Sequence, residues 1–182
     1  MKRLKGLNLA DIAFGVCSAF RRANVTAVLV GGGAASFYAQ ETYETRDLDF
    51  LLPFELFGAP KALIIDDLGF APTKTAGTYG HPDIHDTPEI LQGPLSIGDG
   101  TLMIYAMLRI RELVMNVISP TDSVKNRLAH AIHFRDIIAA RKAAECGSRH
   151  SPELVQERRW RQSTRNVPRL SRLAPIFAAL NR

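Results

Sequence analysis

The sequence predicts an α/β (α+β) domain, a mixed sheet flanked by helices with further helices at its C-terminal end. Three observations lead there. Within the first 52 residues an amphipathic helix, a short apolar strand, a second helix and a second strand follow one another. The apolar strand stops abruptly at Gly31, Gly32 and Gly33. Farther along, an extended apolar run, Leu113-Val114-Met115-Asn116-Val117-Ile118, enters a helix with a strong start signal.

Asn8 with Asp11 marks the first helix, read over about 9–23, because Leu9, Ile12, Ala13, Val16 and Phe20 recur at helical spacing. Thr26-Ala27-Val28-Leu29-Val30 is almost wholly apolar and reads as a buried strand. Residues 34–40 read as a helix, and Asp47-Leu48-Asp49-Phe50-Leu51-Leu52 as a strand stopped by Pro53. A helix over about 58–68 ends at Gly69, and short strands fall around 75–79 and 87–97. Residues 101–118 suit either a hairpin or a helix followed by a strand. Ser119-Pro120-Thr121-Asp122 then sets a capping serine, a proline at the first helical position and an acid three residues after the cap. That helix is expected to run to about 145 and stop at Gly147-Ser148; Ser151-Pro152-Glu153 starts another, and Leu170, Leu173, Phe177 and Leu180 mark a last amphipathic piece. The chain thus divides into a core, 1–118, and a C-terminal helical segment, 119–182, packed on it.

With 182 residues, 46% of them apolar, the chain is long enough for one good core. No repeat or low-complexity tract is present, which excludes solenoid, collagen-like and disordered classes. Cys17 and Cys146 stand in unrelated contexts, against a disulfide framework or a cysteine zinc site. Asp11 interrupts the apolar stretch after Met1-Lys2-Arg3-Leu4-Lys5, so a signal peptide is not expected, and no apolar run approaches the roughly 20 residues that cross a bilayer. A cytoplasmic protein without membrane contact is the expectation. Residues 141–182 hold ten Lys/Arg against three Asp/Glu, or +7, which leaves −2 of the total +5 to residues 1–140. A basic tail on an acidic body suits attraction of a polyanion, or is a solvated helix face.

Residues two apart on a strand share a face, so Asp47 and Asp49 set their carboxylates side by side, about 6 to 7 Å apart along the backbone. Aspartate is a poor strand former and like charges on one face repel, so either a divalent cation compensates them or they are solvent-facing acids at a strand entrance, whereas Leu48 and Phe50 turn into the core. The glycines before them let backbone N–H groups approach a phosphate, or simply make a tight packing turn. They match neither a P-loop nor a dinucleotide fingerprint. At about 100° per residue, Asp122, Lys125, Ala129, His133 and Asp136 share a sector of roughly 80° on the later helix, opposite Val124, Leu128, Ala131 and Ile138, which is either a functional face or ordinary solvent exposure with Asp122 and Lys125 as an exposed pair. His81-Pro82-Asp83-Ile84-His85-Asp86 fits no zinc spacing and reads as a flexible polar loop.

Val28-Leu29-Val30-Gly31-Gly32-Gly33-Ala34-Ala35 followed by Thr45-Arg46-Asp47-Leu48-Asp49-Phe50 resembles the nucleotidyltransferase-fold (DNA polymerase β-like) superfamily. Glu89 to Asp99 and Ile118 to Leu128 look like later blocks of its small bacterial members, similar to abortive-infection (AbiEii-type) and toxin-like nucleotidyltransferases. The resemblance implies a nucleotidyltransferase-like sheet in which Gly31 and Gly32 cradle phosphate and Asp47 and Asp49 bind two Mg²⁺ ions. It implies a third carboxylate, assigned to Glu89 with Asp86 in reserve, and a basic residue, Lys125, that meets the triphosphate. The chain departs from many relatives in lacking a serine after the glycine pair, in Asn126 where an acid stands, and in His130-Ala131-Ile132-His133-Phe134 where a tryptophan-rich helix stands.

The implied activity is Mg²⁺-dependent transfer of a nucleotidyl group from a nucleoside triphosphate, such as ATP, to a hydroxyl. Trp160 among Arg158, Arg159 and Arg161 suggests RNA as acceptor, by phosphate attraction and stacking. A protein or small-molecule hydroxyl is the other possibility. The implied setting is a toxin or phage-defence system with an antitoxin or other protein partner. The competing reading is a catalytically inactive module of the same fold that binds a protein partner or nucleic acid.

Overall fold

The computed structural model of the chain describes residues 6–39, 45–52, 65–97 and 101–150. Helix α1 (Leu9–Arg22) starts at a reciprocal cap: the Asn8 side chain accepts from the Asp11 N–H at 2.9 Å, and the Asp11 carboxylate accepts from the Asn8 N–H at 3.1 Å. Ile12, Ala13, Val16, Cys17 and Phe20 form its buried side. Strand β1 (Val28–Leu29), helix α2 (Gly31–Tyr38) and strand β2 (Asp47–Leu52) follow. After them come β3 (Ala71–Pro72), β4 (Tyr79–Gly80), β5 (Thr87–Gln92), β6 (Ser96–Ile97), β7 (Thr101–Leu102), β8 (Tyr105–Ile110) and β9 (Leu113–Ile118). Helices α3 (Pro120–Phe134) and α4 (Ile137–His150) close the described chain.

The main sheet has the order β5-β2-β1-β9-β8. It is mixed: β1 runs antiparallel to β2 and parallel to β9, β2 runs parallel to β5, and β8 and β9 form an antiparallel hairpin. Its centre is the shortest of these strands, since Val28 and Leu29 are wholly buried and a strand covered on both faces must be apolar throughout. Leu48 and Phe50 face the core, each with no exposed surface, so Asp47 and Asp49 necessarily take the opposite face. Helix α1 is bolted to β9 by Ser18, whose hydroxyl accepts from the Val114 N–H at 2.9 Å and donates to the Val114 carbonyl at 3.2 Å. Cys17 and Cys146 are free and buried. No helix among the described residues is long and apolar enough to cross a membrane.

Three expectations change. The second helix begins at Gly31 rather than about residue 34, so the glycines are its first turn. A side chain at Gly33 would press on Leu29 and Leu48, at 3.0 and 3.2 Å, which is why this turn can lie directly on the sheet. The long helix expected after residue 119 is two helices. Arg135 takes a left-handed conformation (φ 56°), and Asp136 caps α4 by accepting from the Ile138 and Ala139 N–H groups at 2.8 and 3.1 Å. Gly147 and Ser148 therefore lie within α4, and Ile138 is 46% exposed instead of core-facing. Finally, residues 81–86 are a built turn rather than a flexible loop. The His81 ring is buried edge-on to Phe70, centroids 5.4 Å apart, and its Nδ1 accepts from the Asp83 N–H at 3.0 Å. Most of the expected 58–68 helix, the 151–182 helices and the basic tail with Trp160 lie outside the described residues.

Candidate active site

The register between β2 and β5 decides which carboxylates meet. Asp49 stands opposite Glu89 in a parallel pair, and Asp47 opposite Thr87. Parallel neighbours in register share a face, so Asp47, Asp49 and Glu89 project together from the solvent side of the sheet and line one cavity of about 400 Å³. Asp86, one residue ahead of β5, is not among the lining residues.

Gly31 holds a left-handed backbone (φ 62°), and a Cβ there would collide with the Asp49 carboxylate, 2.9 Å from its Cγ. Only glycine satisfies both conditions. The close approach lets the Gly32 N–H donate to Asp49, whereas Val30, the residue before α2, supplies no side-chain cap. Burial pushes the Asp49 carboxyl up to about 6; Arg127 and the Gly32 N–H pull it down, and the charges of Glu89 and Asp47 push it up further. Among the described residues no three His, Cys, Asp or Glu side chains form a ready metal cage. Mg²⁺ is usually held by one or two carboxylates with water and substrate phosphates, and Asp47, Asp49 and Glu89 could hold an ion that arrives with such a ligand.

The facing wall is helical. Arg127 and His130 reach the cavity from α3, Asp136 from the bend and Lys142 from α4. Burial lowers the pKa of Arg127, and the carboxylates of Asp49 and Asp136 raise it. Lys142, only 3% exposed, places its ammonium against the Ser36 hydroxyl on α2 and so ties α4 to the glycine helix. His130 Nδ1 lies 3.4 Å from Asp136 Oδ2. Burial lowers the His130 pKa, Arg127 lowers it further, and Asp136 opposes both.

Of the residues singled out from the sequence, Gly32, Asp47, Asp49 and Glu89 line the cavity, and Gly31 sits directly behind Asp49. Lys125 does not. Its ammonium is buried 3.2 Å from Asp122 Oδ1, while Asp122 Oδ2 accepts from the Ile104 N–H at 2.7 Å and from the Ser119 hydroxyl at 2.9 Å. The pair pins the start of α3 to the segment entering β8. It is buried rather than solvent-exposed, it does not line this cavity, and His133, from the same helical sector, is exposed away from it. The cationic residues that do line it, Arg127 and Lys142, escaped sequence reading. The available signal was Arg127 and His130 three apart on one helical face.

No protein-family model matches the chain, and no curated protein matches it significantly. Among solved structures it is similar to an antigenic nucleotidyltransferase-like protein from Paracoccidioides brasiliensis, with a TM-score of 0.53 and 13% identity over 85% of this chain and 90% of that one. A solution structure of the antibiotic-resistance factor ANT(2″)-Ia matches at a TM-score of 0.47 and 12% identity, over 84% and 94% of the two chains. The first likeness defines the fold class: this is a nucleotidyltransferase-like α/β fold, a mixed five-stranded sheet flanked by helices.

Proposed function

We propose that the protein is a Mg²⁺-dependent nucleotidyltransferase that moves a nucleotidyl group from a nucleoside triphosphate to a hydroxyl. One observation carries the reading: Asp47, Asp49 and Glu89 meet on one wall of a cavity whose other wall presents Arg127 and Lys142. Acids facing cations across a small cavity suit a ligand that is itself an anion and brings a cation with it. Asp47 and Asp49 would hold the ion, with Glu89 as the third ligand. A Mg²⁺ ion held there would supply Lewis-acid activation of the acceptor hydroxyl and offset the charge of the triphosphate. Arg127 and Lys142 grip phosphate oxygens, and the N-terminal turn of α2 at Gly31 and Gly32 offers backbone donors beside them. Glu89, across the strand pair from Asp49, takes the proton of the attacking hydroxyl, and pyrophosphate leaves along the helical wall. This replaces Lys125 with Arg127 and Lys142 as the phosphate-binding cations.

RNA is the acceptor in this reading, drawn by the arginines of 151–182, in a toxin or phage-defence setting with a protein partner. The support is the charge of that segment. The test is incubation with Mg²⁺, labelled nucleoside triphosphates and total RNA, beside the Asp47→Ala, Asp49→Ala double variant. Label transfer that needs Mg²⁺ and vanishes in the double variant is the expected result. Transfer that persists in it overturns the acid-pair mechanism, and absence of Mg²⁺-dependent nucleotide binding favours the inactive module.

A further inference from the structure

The cavity lining is sorted by chemistry. Three of its acids come from β2 and β5 and a fourth, Asp136, from the bend between α3 and α4; its cations come from α3 and α4, and its apolar side chains come from one place, Ile138 and Ala139 at the start of α4. Beside them stands His130, whose ring lies 4.6 Å from that of Phe134, centroid to centroid. Phe134 is 72% exposed and Ile137 54%. The bend at Arg135 thus presents an exposed aromatic and aliphatic rim, which meets the cavity lining at Ile138 and, through the ring contact with Phe134, at His130. Large side chains left bare at one edge of a charged cavity mark a binding surface.

The charge around the rim limits what fits it. A ligand that reaches both the cations and the rim carries phosphates and a flat apolar part. Resting on the nucleotidyl-transfer reading, we infer that the His130–Phe134–Ile138 rim is the seat of the nucleobase of the bound nucleoside triphosphate. Every nucleobase has a π face, and stacking on an aromatic side chain is tolerant of its identity. The seat therefore supplies affinity without strong choice among bases.

Isothermal titration in Mg²⁺ with two ligands, ATP and inorganic tripolyphosphate, separates the base from the phosphates. Phe134→Ala removes an exposed ring and leaves the core intact. It is expected to weaken ATP about tenfold, the size of one base–aromatic stack, and to leave tripolyphosphate within about twofold of wild type. Phe134→Trp is expected to restore ATP binding, with indole fluorescence quenched by ATP and unchanged by tripolyphosphate. ATP binding indifferent to Phe134→Ala, or equal loss of both ligands, overturns the inference. Indifference accompanied by loss of a concentration-dependent dimer reassigns the rim to a second copy of the chain. Failure of wild type to bind either ligand is a different result: it overturns the nucleotide reading itself and the base seat with it.

Discussion

The strand wall of the cavity and its helical wall carry opposite charge and are held in place by different means. On the strand wall, position follows from register: once Leu48 and Phe50 are buried, Asp47 and Asp49 have one direction to point, and the parallel pairing with β5 brings Glu89 alongside. On the helical wall, position follows from a break. Arg127 and His130 are carried by α3, but Asp136, Ile138 and Lys142 reach the cavity only because Arg135 turns left-handed and redirects the chain. Within a strand, local sequence alone can decide which face a charge takes. A helix pair needs its angle fixed by something else, here the Asp136 cap and the contact between Lys142 and Ser36.

The sharpest separation of chemistry from stability lies on the strand wall. Asp49→Asn is expected to reduce nucleotidyl transfer at least about a thousandfold, because a neutral amide is a poor ligand for a divalent cation. Yet the melting temperature should stay level or rise, since the substitution relieves a crowded group of three like charges. Steady-state turnover and a thermal melt check the two halves. Unimpaired turnover would take Asp49 out of the mechanism.

The two basic residues of α3 offer the next contrast. Lys125→Ala leaves the buried Asp122 carboxylate without its cation and is expected to cost about 3 kcal/mol of stability, with nucleotide affinity near wild type. Arg127→Ala is expected to do the reverse, weakening triphosphate binding about tenfold or more at little cost in melting temperature. Chemical denaturation beside a binding titration reads both. If Lys125→Ala were the variant that lost affinity while keeping its fold, the assignment of the helical wall would be wrong.

Gly31→Ala tests the junction between the walls. A methyl group there meets the Asp49 carboxylate on a left-handed backbone, and the expected loss is about 2 kcal/mol, the backbone penalty plus a displaced acid. Transfer activity should fall with it. Gly33→Ala makes a useful partner, because it strains the packing on Leu29 and Leu48 and does not touch the acids.

The same contrast explains what was legible in the sequence. The alternation of Asp47, Leu48, Asp49 and Phe50 states its own geometry, because the strand period is two and burial settles which face is which. Glu89 comes from the family resemblance, with Asp86 in reserve, because the sequence does not state the register of this region; it is the pairing of β5 with β2 that sets Glu89 opposite Asp49. The buried setting of Lys125 was not legible, since helical phase, read from 119 onward, yields a coherent polar sector without saying whether it faces water, a ligand or another element. Asp122 and Lys125 satisfy each other inside the protein, which no periodicity distinguishes from exposure. The bend was hidden as well. Phe134-Arg135-Asp136-Ile137 contains neither glycine nor proline, and a left-handed arginine is not a stop signal that composition announces. The aspartate just after it was the clue, as a helix-capping residue in the middle of an apparently continuous helix.

That cap gives the smallest effect and the most specific one. Asp136 accepts two N–H groups at the start of α4 and lies beside His130, so Asp136→Ala should cost about 1 kcal/mol, the usual value of an N-cap. Its consequence for function should exceed that figure. Without the cap, the α3–α4 angle is less sharply defined, and Lys142 and the apolar rim lose their common frame, whereas the strand acids keep theirs. Nucleotide affinity should therefore drop several-fold while the Asp49 environment is unchanged. Asp136→Asn, which still caps, should recover most of the affinity. Chemical shifts of Gly32 and Asp49 amides that move as far as those of Ile138 and Lys142 in Asp136→Ala would show that the two walls are one unit, and that the division drawn between them is not physical.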